Sequence, residues 1–344
     1  MLATQLPRSS VKALLVVLSL LLSACNGGGG GGGSSNTSNT VPPSKLFVGD
    51  SADFAIGSVV DSNPQPGTIT VDRIIMGPNT GLTSYLSDFA IDANNNRLYV
   101  ANGRSIIVFN NISNADGNTS PSRVVTSIPN GVVGGFTCLY LDVVNDVLYV
   151  GNNNSFYTFE IQVFAHASTA NNAAPNRTIT VNSSYITGLA VDVARDVIYA
   201  YAEDSNYLSE INVLDNASTI SGTVATNRVI TIGSSYSSGP PRGLFIDSSN
   251  DRLYVSEYSY IYVFDNASTK NGSVNTTAAP ERKISLPLVT TVNIAMDVTV
   301  DRLYAVDEWG VNIINNASTA NGVVPINRAL APSGAVLKAV AVRP

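Results

Sequence analysis

A nine-residue motif recurs along this chain at about fifty-residue intervals, the kind of period that marks a solenoid, a propeller or an array. Asp92-Ala-Asn-Asn-Asn-Arg-Leu-Tyr-Val100 returns as Asp142-Val-Val-Asn-Asp-Val-Leu-Tyr-Val150 and as Asp192-Val-Ala-Arg-Asp-Val-Ile-Tyr-Ala200. It returns again as Asp247-Ser-Ser-Asn-Asp-Arg-Leu-Tyr-Val255 and Asp297-Val-Thr-Val-Asp-Arg-Leu-Tyr-Ala305. A chain built this way makes one supersecondary unit many times, and no unit buries its apolar face alone.

One unit shows the parts. Gly188 opens Leu189-Ala-Val-Asp192, a short turn leads into Val197-Ile-Tyr-Ala200, and Ile211-Asn-Val-Leu214 follows. A polar loop begins at Asp215-Asn-Ala-Ser-Thr219, and Arg228-Val-Ile-Thr231 ends the unit. Four short apolar runs bounded by turn residues predict one four-stranded antiparallel sheet. Such sheets repeated radially make a propeller. Phe47, Tyr99, Tyr149, Tyr199, Tyr254 and Tyr304 share one slot in the second strand, as expected of packing between blades. Arg73, Arg123, Arg177, Arg228, Arg282 and Arg328 each open the fourth strand, where salt bridging or turn capping is expected.

The chain ends predict closure. Leu46-Phe-Val48 matches a second strand, so the first unit lacks its first. Lys338-Ala-Val-Ala-Val342 matches a first strand, with Ala341 in the slot of Asp192. The expected fold is therefore all-β, a six-bladed β-propeller of four-stranded antiparallel blades spanning 45–344, with the first blade closed by the C-terminal strand. Closure removes exposed sheet edges.

The start of the chain is different in kind. Arg8 and Lys12 precede a short apolar run, Ala13 to Leu22, too short to span a bilayer and suited to a signal peptide. Leu22-Ser-Ala-Cys25 resembles the lipobox of bacterial lipoproteins. That resemblance implies removal of residues 1–24 and lipidation of Cys25, and more than one acyl chain there would anchor the protein stably. In enterobacterial members an Asp after the cysteine holds the protein in the inner membrane; Asn26 stands there, which implies the outer membrane. Residues 25–44 then form a tether: Gly27 to Gly33 is unbroken glycine, followed by Ser, Asn, Thr and Pro. Between Cys25 and Lys45 its r.m.s. span is roughly 25 Å.

Composition narrows the partners. Removing residues 1–24 takes two bases and no acid from 19 and 25, leaving 17 basic and 25 acidic residues, net −8. Nucleic acid needs a basic surface, so it is not an expected partner. The second of the two cysteines, Cys138, takes the slot of Gly188 and Gly243 and is expected to be a buried thiol. His166, the single histidine, replaces Asn111, Asn216, Asn266 and Asn316 in a loop, which argues against a Ser-His-Asp mechanism or a multi-His zinc site. The Asn-Ala-Ser triplets at Asn216, Asn266 and Asn316 read as turn chemistry rather than glycosylation acceptors.

The Asp-x-x-x-Asp-x-Leu-Tyr-Val pattern followed by Ile-x-Val-Phe-Asp resembles the NHL-repeat propellers and related bacterial six-bladed propellers. In such a fold the loops after strands two and four share the face usually used for ligands. On it fall Asp50, Asp53, Asn102, Asn152, Asn153, Glu203, Asp204, Glu257, Asp307, Glu308 and Trp309, with Tyr85, Tyr185, Tyr236 and Tyr258. Asp88 and Asn293 replace Gly188 at the channel mouth. The candidate ligand-binding set is Asp88, Asn293, Glu203, Asp204, Glu257, Asp307, Glu308 and Trp309, with Trp309 able to stack on a sugar.

The expected function is a non-enzymatic binding or scaffold module in the cell envelope, monomeric, without cofactor, held to a membrane through Cys25 and binding a protein or polysaccharide. The alternative is a hydrolase resembling the gluconolactonases, six-bladed propellers that hold one divalent cation such as calcium. That resemblance implies a ligand set drawn from Asp88, Asn293, Glu203 and Glu257, because hard cations need several converging oxygens.

Overall fold

The computed structural model describes residues 45–60, 71–128, 134–153, 158–182, 185–203, 208–235, 243–275, 278–286, 291–307, 310–324, 329–330 and 335–343. The signal segment, Cys25 and the tether lie outside the described residues, as do Asp204, Tyr236, Glu308, Trp309 and Arg328.

Six sheets follow one another, and each holds one repeat. Blade one is composite: Leu337–Arg343 pairs antiparallel with Lys45–Asp50, followed outward by Ala55–Val60 and Arg73–Ile75. Blade two begins at Leu86–Asp92, blade three at Gly135–Asp142 and blade four at Ile186–Asp192. Blade five begins at Leu244–Asp247 and blade six at Asn293–Asp297. These six innermost strands touch in a ring, and Leu337–Arg343 meets both its neighbours, Asn293–Asp297 and Leu86–Asp92. The protein is an all-β six-bladed propeller, closed in its first blade by both chain ends.

The second strands are buried almost throughout, which explains their runs of Val, Leu, Tyr and Ala. The aromatic ladder packs between blades as expected: Tyr199 lies in a core with Ile246 and Leu253 of blade five, and Phe47 with Phe89 and Leu98 of blade two. Two of its tyrosines also bond to the next blade. Tyr99 donates its hydroxyl to Ala167 O at 3.2 Å, and Tyr149 donates to Ala217 O at 3.3 Å, each in the following blade.

The arginines divide. Arg228 pairs with Asp215 at 2.9 Å and Arg282 with Asp265 at 3.2 Å. Arg123 and Arg177 instead donate to the next blade's loop, at Ala167 O (2.7 Å) and Ala217 O (2.6 Å).

The polar Asn-Ala-Ser loop is a connector between blades. Asn216, Asn266 and Asn316 take left-handed backbone, as does His166 in the same slot. Beyond it, the chain lies parallel to the outer strand of the preceding blade. Gly222–Val224 pairs with Arg177–Val181, Gly272–Ser273 with Arg228–Ser235, and Gly322–Val323 with Arg282–Ser285. Asn172 and Ala173 do the same with two bonds to Val124 O and Val125 O, both 2.8 Å. Blades three to five therefore carry a fifth, parallel strand beyond the four expected, and their outer edges are covered.

One register differs from expectation. Phe47 pairs with Ala341 as Tyr199 pairs with Ala190, so Arg343, not Ala341, stands in the slot of Asp192. An Ala-Val-Ala-Val segment keeps the same side chains inward after a shift of two, so pattern alone does not distinguish the two registers. The register shift beside Asp50, which leaves Lys338 as an extra residue, matches the bulges at Ser87, Thr137 and Thr187.

Candidate functional site

The turns between strands one and two and the Asn-Ala-Ser loops form one face, called here the lower face. The hairpins between strands two and three and the links between blades form the upper face.

The recurring acids of the lower face are committed to the scaffold. Asp142 Oδ1 accepts the N–H groups of Val144 and Asn145 at 3.0 Å, and its Oδ2 accepts the Asn145 amide at 2.7 Å. Four residues on, Asp146 takes left-handed backbone with φ 56°, and its carboxylate accepts the Ser168 N–H and hydroxyl, both at 2.7 Å. Asp196 holds Ser218, Asp251 holds Ser268 and Asp301 holds Ser318 in the same way. These clamps explain why Asp and Ser recur together in the repeat.

On the upper face, Asp88 and Asn293 meet. The bulges turn Ser87 and Thr137 so that their hydroxyls donate to the next blade at Phe136 O and Ile186 O, both 2.9 Å. The residue after Ser87 is Asp88, whose Oδ2 accepts the Leu139 N–H of blade three at 2.8 Å. Its Oδ1 accepts its own neighbour Phe89 N–H at 2.8 Å and the side-chain amide of Asn293 at 3.0 Å. The half-buried Asp88 thus joins blades two, three and six at the inner ring.

Glu257 sits elsewhere. It ends the second strand of blade five, 2% exposed, and accepts the Tyr201 hydroxyl of blade four on Oε2 and the Ser209 hydroxyl on Oε1 at 3.4 Å. Burial pushes its carboxyl up to about 8, so it is largely protonated near neutral pH. Tyr262, beside it, is raised by burial and by the Glu257 charge. Tyr201 and Ser209 were not anticipated. The signal was present: Tyr201 occupies a slot held by Ala101, Gly151, Ser256, Val306 and Gly49 in the other blades. Gly188, its cross-strand partner, leaves room for the ring. Blade three reverses the sizes, with Cys138 opposite Gly151. Cys138 is a buried thiol, and its departure from the repeat is a packing exchange.

Two further described acids of the expected set are buried. Asp307, 6% exposed, accepts the Asn312 amide at 2.9 Å. Glu203, 7% exposed, ends the second strand of blade four. Asn102 secures the loop before blade two through Thr83 and Gly81 O, and Asp50 Oδ1 accepts the N–H groups of Ala52, Asp53 and Val336. The structure therefore brings Asp88 and Asn293 together and turns Glu257 to Tyr201 and Ser209. Among the described residues no three His, Cys, Asp or Glu side chains group to hold a metal ion.

Exposed apolar side chains lie on both faces and on the outer edge, where Val323 stands in the fifth strand of blade five. Phe54, Tyr85 and Tyr260 lie on the upper face, 45%, 74% and 38% exposed. Phe54 ends the hairpin of blade one, Tyr85 precedes blade two and accepts the Gly103 N–H, and Tyr260 opens the third strand of blade five. The Lys283 ammonium lies 3.6 Å from the Tyr260 ring centre and 5.3 Å from that of Tyr262. Phe54 and Tyr260 were missed from sequence because neither occupies a recurring slot. The upper face offers exposed rings, and the channel mouth a half-buried carboxylate. Protein-family models give no match to this chain, and neither do curated proteins, so the six-bladed propeller stands on the structure.

Proposed function

We propose that this protein is a lipid-anchored binding module of the cell envelope, whose upper face takes a polysaccharide or a protein. The observation that carries the binding role is the exposure of Phe54, Tyr85 and Tyr260 on that face, while the lower-face acids are bonded within the scaffold. A tyrosine ring offers apolar area with a polar tip, suited to a half-wet interface. The anchor rests on Leu22-Ser-Ala-Cys25 and the glycine tether, and the NHL-like reading rests on the repeat motif.

Two variants test the two parts. Cys25→Ser should move the protein from the membrane to the soluble fraction; retention there would sink the anchor. Tyr85→Ala with Tyr260→Ala should abolish retention of envelope polysaccharide or protein at an unchanged melting temperature. Undiminished retention would remove the upper face as the site.

A further inference from the structure

The lower face has a property that the repeat does not explain. Its acids turn inward, and the tips of its turns turn outward with valine. Val144 is 91% exposed, Val298 51%, Val300 43%, Val143 38% and Val193 37%. They come from blades three, four and six, in equivalent turns between the innermost strand and the next. Asp142, Asp192 and Asp297 in the same turns are buried. Isolated exposed valines are ordinary, but five stand at the tips of equivalent turns on three of the six blades.

Blade one has no such turn. Arg343 ends its inner strand and Lys45 begins the next, paired with each other where the other blades have their connecting residues. The chain therefore enters the propeller within this ring of turns. Lys45 is itself held there, donating to Ser113 O at 2.6 Å. From chain statistics alone, the expected r.m.s. span of the segment between Cys25 and Lys45 is roughly 25 Å.

We propose that this valine-tipped face docks on the surface of the bilayer that holds Cys25, leaving the upper face directed away from the membrane. The proposal rests on the lipid-anchor reading. Five exposed valines would not bring a free acidic protein to a membrane. A tethered one meets the surface at an effective concentration on the order of millimolar, so a weak contact suffices.

Amide hydrogen exchange tests the orientation. The protein lipidated in cells is reconstituted in phosphatidylcholine–phosphatidylethanolamine vesicles. A parallel sample starts from the unlipidated chain beginning at Cys25, with that thiol coupled to a maleimide phospholipid; buried Cys138 is spared. Exchange in the turns at 143–145, 193–195 and 298–300 should slow about threefold or more on vesicles, with no change around Tyr85 and Tyr260, as expected of shallow interfacial contact. Val144→Asp, Val298→Asp and Val300→Asp together should abolish the protection while the fold stays intact. Equal exchange on the two faces would overturn the docking. So would protection that grows with protein concentration without lipid, which would assign these valines to a second copy. Absence of cellular lipid on Cys25 would remove the anchor reading, while the chemically coupled sample still decides whether this face prefers lipid.

Discussion

Asn293 donates its side-chain amide to Asp88 Oδ1 at 3.0 Å, joining blade six to blade two across 205 residues of sequence. The same carboxylate accepts the Leu139 N–H of blade three. Asp88→Ala removes the acceptor and should destabilise the fold by about 1–3 kcal/mol. Asp88→Asn should cost less, because an amide oxygen can still accept from Leu139. Denaturant unfolding measures both. Equal stability of Asp88→Ala and wild type would show that the contact contributes nothing to the ring.

The Asp-to-Ser clamp makes a sharper comparison. Asp251 takes φ 50° and holds the Ser268 N–H at 3.0 Å and its hydroxyl at 2.6 Å. Asn96 already does this work in blade two, accepting the Ser113 N–H at 3.0 Å and donating to its hydroxyl at 2.8 Å. Asp251→Asn keeps the clamp and gives up only the partly exposed ion pair with Arg195 at 3.7 Å, so it should cost less than about 1 kcal/mol. Asp251→Ala loses both bonds and strains a left-handed position, and should cost about 1–3 kcal/mol in unfolding experiments.

Side-chain size is exchanged between paired strands at the channel. A methyl group added at Gly151 would meet Cys138 Sγ and lie 3.2 Å from Ile186 Cγ2. Gly151→Ala should cost about 1–3 kcal/mol through overpacking. Adding Cys138→Gly should recover part of that loss, and a double-mutant cycle should show a coupling of about 0.5–3 kcal/mol. Strict additivity would contradict the exchange.

Glu257 predicts a pH dependence of the less usual sign. Its folded carboxyl is raised from 4.5 to about 8, so between those values the folded chain binds more protons than the unfolded chain. The stabilisation is complete below pH 4.5, declines as pH rises and is lost above about 8. From this group alone the slope is at most about 1.4 kcal/mol per pH unit. Glu257→Gln should remove it, seen as a flatter unfolding free energy from pH 5 to 8.

Most of the scaffold was legible in the sequence because it repeats. The tyrosine slot, the fourth-strand arginines and the paired partial units at the two ends each recur or complement one another. The parallel strands such as Gly272–Ser273 were not legible. They are two or three residues long, and their partners lie in another blade, so no local periodicity marks them. At the site, Asp88 and Asn293 stood out as departures from a glycine slot, and the structure joins them. Glu257 also stood out, but its partner Tyr201 was visible only by comparing that position across blades. Phe54 and Tyr260 carry no pattern; solvent exposure alone distinguishes them, and that is a property of the folded surface.

Binding at the upper face is the central claim, and affinity measures it. The protein is immobilised through Cys25, and envelope polysaccharide and protein fractions are passed over it. Wild type should retain a component, and Tyr85→Ala with Tyr260→Ala should weaken that binding at least about tenfold, equivalent to about 1.4 kcal/mol. Val144→Asp on the lower face should leave it unchanged. Retention insensitive to the upper-face pair, or lost equally through Val144→Asp, would contradict the account.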